Sequence, residues 1–207
     1  MRTVTSPVQL LVLQHPQERG HAKNTAHLLH LCLPGSRLEV AETFDTQDLQ
    51  QWLHGPWHGQ PAATVARPVL LYPATPPDPQ LPVMAPPALP ATWREQPQSL
   101  RLVVIDGTWR KSRKMLYLNP ALQALPRWAL HAVPQQGRYT IRKAQRPGQL
   151  SSFEAAALAL EQMHSAADGP ALWSTLMDSF EAAMQLHHRL ETAGRAARPA
   201  PKAAPAA

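Results

Sequence analysis

Cysteine is almost missing from this chain. Cys32 is the only one in 207 residues, which excludes an internal disulfide and a zinc site built on a cysteine cluster. Its place in an apolar helical pattern marks it as a small buried hydrophobe. Long hydrophobic runs are missing too. The first apolar run, Val8 to Leu13, is short and is broken by His15-Pro16, so it is no secretory signal. Nothing approaches the roughly 20 apolar residues of a membrane span. The expectation is a soluble cytoplasmic protein. Hydrophobic residues still make up 44% of the chain, enough for one domain with a proper core and against wholesale disorder.

Acids are missing from one stretch. From Asp106 to Leu150 stand nine cations, namely Arg110, Lys111, Arg113, Lys114, Arg127, Arg138, Arg142, Lys143 and Arg146, against the single acid Asp106. That stretch carries +8, while the rest of the chain, with eleven cations and thirteen acids, carries −2. A basic block inside a mildly acidic protein is the footprint of a polyanion-binding face. A solvated charged surface would be expected to intersperse acids. A membrane-binding role fits poorly, because the basic face leaves no broad apolar side for lipid.

Proline is in excess, at 23 residues. Pro56 to Pro61, Pro73 to Pro97 and the tail from Pro199 concentrate it. Proline at that density predicts loops and linkers. Between these stretches strands and helices alternate. Val8 to Leu13, Val69 to Tyr72 and Leu102 to Ile105 are apolar runs of strands covered on both faces. Arg37 to Val40 and Trp128 to Val133 are further strand candidates, and Arg138 to Lys143 is extended. Asn24-Thr25 caps a helix that ends before Pro34-Gly35, and Thr46 to Leu53 is a short helix. Ser151-x-x-Glu154 is a capping box opening a helix to about His164. Pro170 sits in the first turn of a last helix reaching about Glu191. The expected fold is α/β, a mostly parallel sheet with helices on both faces. Residues 1–192 are expected to form one domain with a Pro-rich loop at about 73–97, and 193–207 a disordered tail.

Asp106 ends the clearest buried strand, directly before a helix, at the sheet edge where open parallel sheets bind ligands. Gly107 permits a sharp turn there and Thr108 is a natural N-cap. At 100° per residue, Arg110, Arg113, Lys114 and Tyr117 fall on one side of the helix, and Trp109, Ser112, Met115 and Leu116 on the other. The wheel thus packs Trp109 on the sheet and turns three cations and a tyrosine outward beside Asp106. That arrangement points to nucleic acid held over a carboxylate. A G-x-G-x-x-G turn does not follow the first strand, so an ordinary dinucleotide site is not supported. His15, His21 and His27 match no common zinc spacing, and no metal is expected.

The segment Asp106-Gly107-Thr108-Trp109-Arg110-Lys111-Ser112-Arg113-Lys114-Met115-Leu116 closely resembles the signature of the DTW-domain family. Further blocks match in the family's order: Leu13-Gln14-His15-Pro16-x-Glu18 with Asn24-Thr25, then Tyr72-Pro73, then Asn119-Pro120 to Leu125-Pro126. Arg138-Tyr139-x-Ile141-Arg142-Lys143 and Leu150-Ser151-Ser152-Phe153-Glu154-Ala155 complete them. The resemblance implies a SPOUT-like fold with a C-terminal trefoil knot holding S-adenosylmethionine. It implies transfer of a 3-amino-3-carboxypropyl group to N3 of a uridine in tRNA, with release of methylthioadenosine. It places Asp106, Thr108 and Trp109 in the catalytic site, with Asp106 as base or as orienter of N3. Stacking of Trp109 on a base or on adenine is the role open to it there, against the packing place the wheel gives it. It puts Tyr72, Leu130, Leu150, Ser151 and Ser152 at the S-adenosylmethionine site. Arg110, Arg113, Lys114, Arg138, Arg142 and Lys143 would contact tRNA phosphates. A homodimer is compatible with it. The Cys-rich segment that opens many relatives has no counterpart here, which bears on substrate choice more than on the chemistry. Two other readings compete: the same reaction on ribosomal RNA, and a non-catalytic RNA-binding module that keeps the fold.

Overall fold

A computed structural model describes residues 2–20, 24–57, 66–74, 76–131, 150–164 and 168–196. Five strands, β1 (Gln9–Gln14), β2 (Arg37–Val40), β3 (Arg67–Leu71), β4 (Leu100–Asp106) and β5 (Arg127–Trp128), form one sheet in the order β2-β1-β4-β3-β5. Every neighbouring pair is parallel. The expected α/β class with a parallel sheet is therefore observed. All seven residues of β4 are buried, as a central parallel strand requires.

Seven α-helices accompany the sheet among the described residues. They are α1 (Thr25–Cys32), α2 (Thr46–His54), α3 (Ala91–Arg94), α4 (Trp109–Leu118), α5 (Pro120–Gln123), α6 (Ser152–Met163) and α7 (Gly169–Ala196). Their starts follow local chemistry. Asn24 accepts from the His27 N–H, Asp45 from Gln47 and Asp48, and Thr108 from Lys111. Ser151 and Glu154 form the reciprocal capping box that their spacing predicts.

Alternation along the strands divides the core in two. Leu10, Val12, Leu102 and Val104 pack with α1, α6 and α7. Leu11, Leu13, Val103 and Ile105 pack with α2, α4 and α5. Each fully buried leucine adds about 2 kcal/mol of apolar burial. Phe153 stacks on Phe180 at 4.6 Å and ties α6 to α7.

Four expectations need correction. β5 ends at Trp128 rather than Val133, because its partner strand stops at Leu71 and Pro73 follows, leaving no ladder to pair with. The third strand starts two residues earlier than its apolar run and leaves Tyr72 just past its end. The Pro-rich stretch is not all loop, since it contains α3 and a 3-10 turn at Pro97–Ser99. α7 runs to Ala196, beyond the end near Glu191, so residues 193–196 of the expected tail are helical. The described residues do not test the knot that the resemblance implies, and the extended segment Arg138 to Lys143 lies outside them.

Candidate active site

The chain leaves β1 toward β2 on one side and leaves β4 toward β5 on the other. Between β1 and β4, therefore, the strand order reverses, with α1 on one face and α4 on the opposite one. Such a switch point opens a crevice at the carboxyl edge of the sheet, where α/β folds hold ligands. Gln14 and Asp106 stand directly opposite each other at that point. Continuing the alternation from Val12 and Val104, both side chains turn toward the face carrying α1 and α6.

Asp106 is 8% exposed and Gln14 1%. Gln14 Nε2 donates to Asp106 Oδ2 at 2.9 Å and to Asn24 Oδ1 at 2.8 Å. Asn24 Oδ1 also accepts the His27 N–H at 2.9 Å, capping α1. The backbone of β1 joins in, as His15 N–H donates to the Asp106 carbonyl at 2.9 Å. Asp106 Oδ1 takes no hydrogen bond among the described residues. Sequence reading gave Gln14 no role of its own. The signal available was a polar residue closing an otherwise apolar strand.

Gly107 lets α4 start immediately. A Cβ there would lie 3.3 Å from Lys111 Cβ and 3.5 Å from His15 Cβ, so the turn is closely packed. Ser112, Met115 and Leu116 are buried as the wheel predicts. Trp109 is not: it is 59% exposed. The wheel assumes a surface beneath the whole helix, and the first residue of α4 overhangs the sheet edge. Trp109 instead meets Tyr72 edge-on, with ring centroids 5.9 Å apart at 77°. The Arg127 guanidinium lies 5.0 Å from the centre of the Tyr72 ring and donates to the Pro73 carbonyl at 2.9 Å. Tyr72 Oη and Ser112 Oγ are hydrogen-bonded at 3.1 Å. Burial pushes the Tyr72 hydroxyl above its ordinary range, against the Ser112 contact and the nearby Arg127 and Arg113 charges, so it stays a neutral phenol.

The acids missing from the basic segment arrive from elsewhere in the chain. Glu18, after β1, pairs with Lys111 at 2.7 Å. Glu42, after β2, pairs with Lys114 at 2.9 Å. Asp78, after β3, lies 3.4 Å from Arg113 Nε. Arg113 also donates to the carbonyls of Pro76 and Leu81 and its side chain is 14% exposed. It anchors the Pro-rich loop, so its expected outward, phosphate-facing position is corrected. Arg110 is exposed and makes no ion pair among the described residues, and the Lys114 side chain remains half exposed. Arg138, Arg142 and Lys143 lie outside the described residues.

His15 is buried and fully used: Nδ1 accepts from the Gln17 N–H at 3.2 Å, so Nε2 is the nitrogen that donates to Glu42 at 3.1 Å. Lys114 first, then His15, hold the Glu42 carboxyl below its ordinary value. His21 lies outside the described residues, and among those described no group of three or more histidine, cysteine or acidic side chains is placed to hold a metal. No helix among them is long and apolar enough to cross a membrane.

The residues expected around S-adenosylmethionine are only partly available to a ligand. The Tyr72 hydroxyl is committed to Ser112, and Ser151 closes its capping box on Glu154 with contacts of 2.8–3.2 Å. Leu130 is half-buried against the α6 side of the core, and Leu150 and Ser152 are half-buried beside the start of α6. In the same core as Leu130, the buried Trp128 Nε1 has no hydrogen-bond partner among the described residues. This set offers apolar walls, an indole N–H and the backbone amides at the start of a helix.

No curated protein and no solved structure matches this chain. The sequence model of the DTW domain matches residues 1–188, so on a match spanning most of its 207 residues the chain belongs to the DTW-domain family.

Proposed function

We propose that the protein transfers a 3-amino-3-carboxypropyl group from S-adenosylmethionine to N3 of a uridine in tRNA. The observation that carries this reading is the Asp106 carboxylate, held by Gln14 at the β1/β4 switch point of a DTW domain. S-adenosylmethionine supplies a carbon bonded to sulfonium; when uridine N3 bonds to it, the C–S bond breaks with its electron pair on sulfur, methylthioadenosine departs and the N3 proton passes to water. Leu130, Leu150, Ser152 and the Trp128 indole would hold it, and the reading carries the SPOUT-like knot with it.

Asp106 Oδ1 accepts the uridine N3–H and aims N3 at the donor carbon. A carboxylate is a weak base toward a uridine imide, so orientation is its larger contribution. Trp109, exposed three residues after Asp106, offers a ring face on which the uracil can stack. Thr108 fixes the start of α4. Arg110 and the exposed Lys114 are the α4 cations that face tRNA phosphates.

Mass spectrometry of unmodified tRNA incubated with the protein and S-adenosylmethionine tests this. One aminocarboxypropyl group on a uridine, with methylthioadenosine released, is the expected result. A methyl group instead refutes the chemistry. Modification of ribosomal RNA alone moves the substrate, and no modification of either RNA leaves a binding module.

A further inference from the structure

We infer that Gln14 is a positioning residue that makes Asp106 an acceptor with one open oxygen, and that this pair sets a preference for uracil over cytosine. The inference rests on the transfer reaction proposed above.

Hydrogen-bond roles propagate here from a fixed point. The His27 N–H can only donate, so the Asn24 atom it meets at 2.9 Å is the amide oxygen. That oxygen lies 2.8 Å from the Gln14 amide, which must therefore present its nitrogen. The second hydrogen of that nitrogen points to Asp106 Oδ2 at 2.9 Å. Asp106 Oδ2 is thereby compelled to accept, and the helix cap of α1 dictates the role of a carboxylate 82 positions further along. Both Gln14 amide hydrogens are used, so Gln14 has none left for a ligand.

Oδ1 is the oxygen left for a base. Uracil presents N3–H and donates to it. Cytosine presents an unprotonated N3, and two lone pairs would then face each other. With the Oδ2 side occupied, the carboxylate cannot turn to offer a different edge. Discrimination by an unmatched buried polar group is stronger than discrimination by size.

The test compares wild type with Gln14→Met, which keeps the volume and removes the donor, and with Gln14→Glu. In Gln14→Met, kcat for tRNA should fall about 100-fold, as for a misaimed catalytic group. KM for tRNA should change little, and the melting temperature should fall by only about 2–6 °C, because Asp106 Oδ2 loses its donor while Asn24 keeps the His27 N–H. In Gln14→Glu the two carboxyl groups compete for one proton, so activity should survive at acidic pH and fall as pH rises. His15, Glu18, Glu42 and Lys111 stand on the surrounding loops and helix in all three proteins, so the difference isolates position 14. Unchanged kcat in Gln14→Met overturns the inference. So does a loss of kcat that follows melting temperature, together with a wild-type pH profile in Gln14→Glu. If wild type modifies no RNA, the transfer reading falls, and nitrogen-15 NMR of the Gln14 amide decides the remaining point. Two slowly exchanging Gln14 protons, one of them lost in Asp106→Ala, support the pairing; two fast-exchanging protons overturn it.

Discussion

Asp106→Asn is the most informative single change, because the structure says what it leaves intact. Asparagine has nearly the same volume, and its amide can turn its oxygen to the Gln14 Nε2 that now meets Oδ2 at 2.9 Å. The carbonyl of residue 106 still accepts from His15. Folding should be nearly unaffected, with a melting temperature within about 2 °C of wild type, the effect of a change of well under 1 kcal/mol in a chain of this size. The atom turned to the crevice becomes an NH2 facing the uridine N3–H, donor against donor. A hydrogen bond to a charged acceptor is worth about 1.5–3 kcal/mol, and leaving a polar group unsatisfied costs about 1–3 kcal/mol more. At 1.36 kcal/mol per tenfold, a total of about 2.5–6 kcal/mol slows the reaction by about 10²- to 10⁴-fold. Single-turnover transfer to tRNA, followed by mass spectrometry at saturating donor, measures it. A loss below tenfold with an intact fold would refute the role given to Asp106. Asp106→Ala should likewise abolish turnover while keeping most of the tRNA affinity.

Three further outcomes are expected. Trp109→Ala should weaken tRNA binding by about 1–3 kcal/mol, the range for base stacking on an aromatic, and leave the melting temperature unchanged because the ring is largely exposed; binding titrations and thermal melts together check it. Arg101 is fully buried at the amino edge, its guanidinium satisfied by Gln9 Oε1 and by the carbonyls of Trp52 and Gly55, and lies 4.1 Å from the Trp57 ring centre. Burial, with Arg37 nearby, lowers its pKa to about 10. Arg101→Ala strips two part-buried acceptors, Gln9 Oε1 and the Gly55 carbonyl, of their donor, while the Trp52 carbonyl keeps the Trp57 indole N–H; at about 1 kcal/mol each this should lower the melting temperature by about 4–8 °C without changing the active-site pH profile. Glu42, with its carboxyl held below the ordinary 4.5, stabilises the folded chain fully above that value and loses this contribution as pH falls through its folded-state value. Glu42→Gln should therefore remove part of the stability at neutral pH and narrow the gap to wild type in denaturant titrations below about pH 4.

The β1 and β4 apolar runs, the Asn24 and Thr108 caps, the Ser151–Glu154 capping box and the placement of Asp106 before α4 were legible in the sequence. Each is a local signal, set by side chains within a turn or a strand of one another. The DTW signature was legible in the same way, as consecutive residues. Contacts between distant segments were not. Gln14 and Asp106 are 92 positions apart, and Glu18, Glu42 and Asp78 reach the α4 cations from three separate loops. Trp109 was misplaced because periodicity describes a helix and not the edge of the sheet beneath its first turn. Sequence alone thus determined most of the strands and the longer helices, the parallel class of the sheet and the residue at its functional edge. The tertiary structure alone decided which strands are neighbours, and with them which oxygen of Asp106 stays open, which cations are neutralised and which aromatic faces solvent. Those properties arise from strand order and packing, and no local preference encodes them.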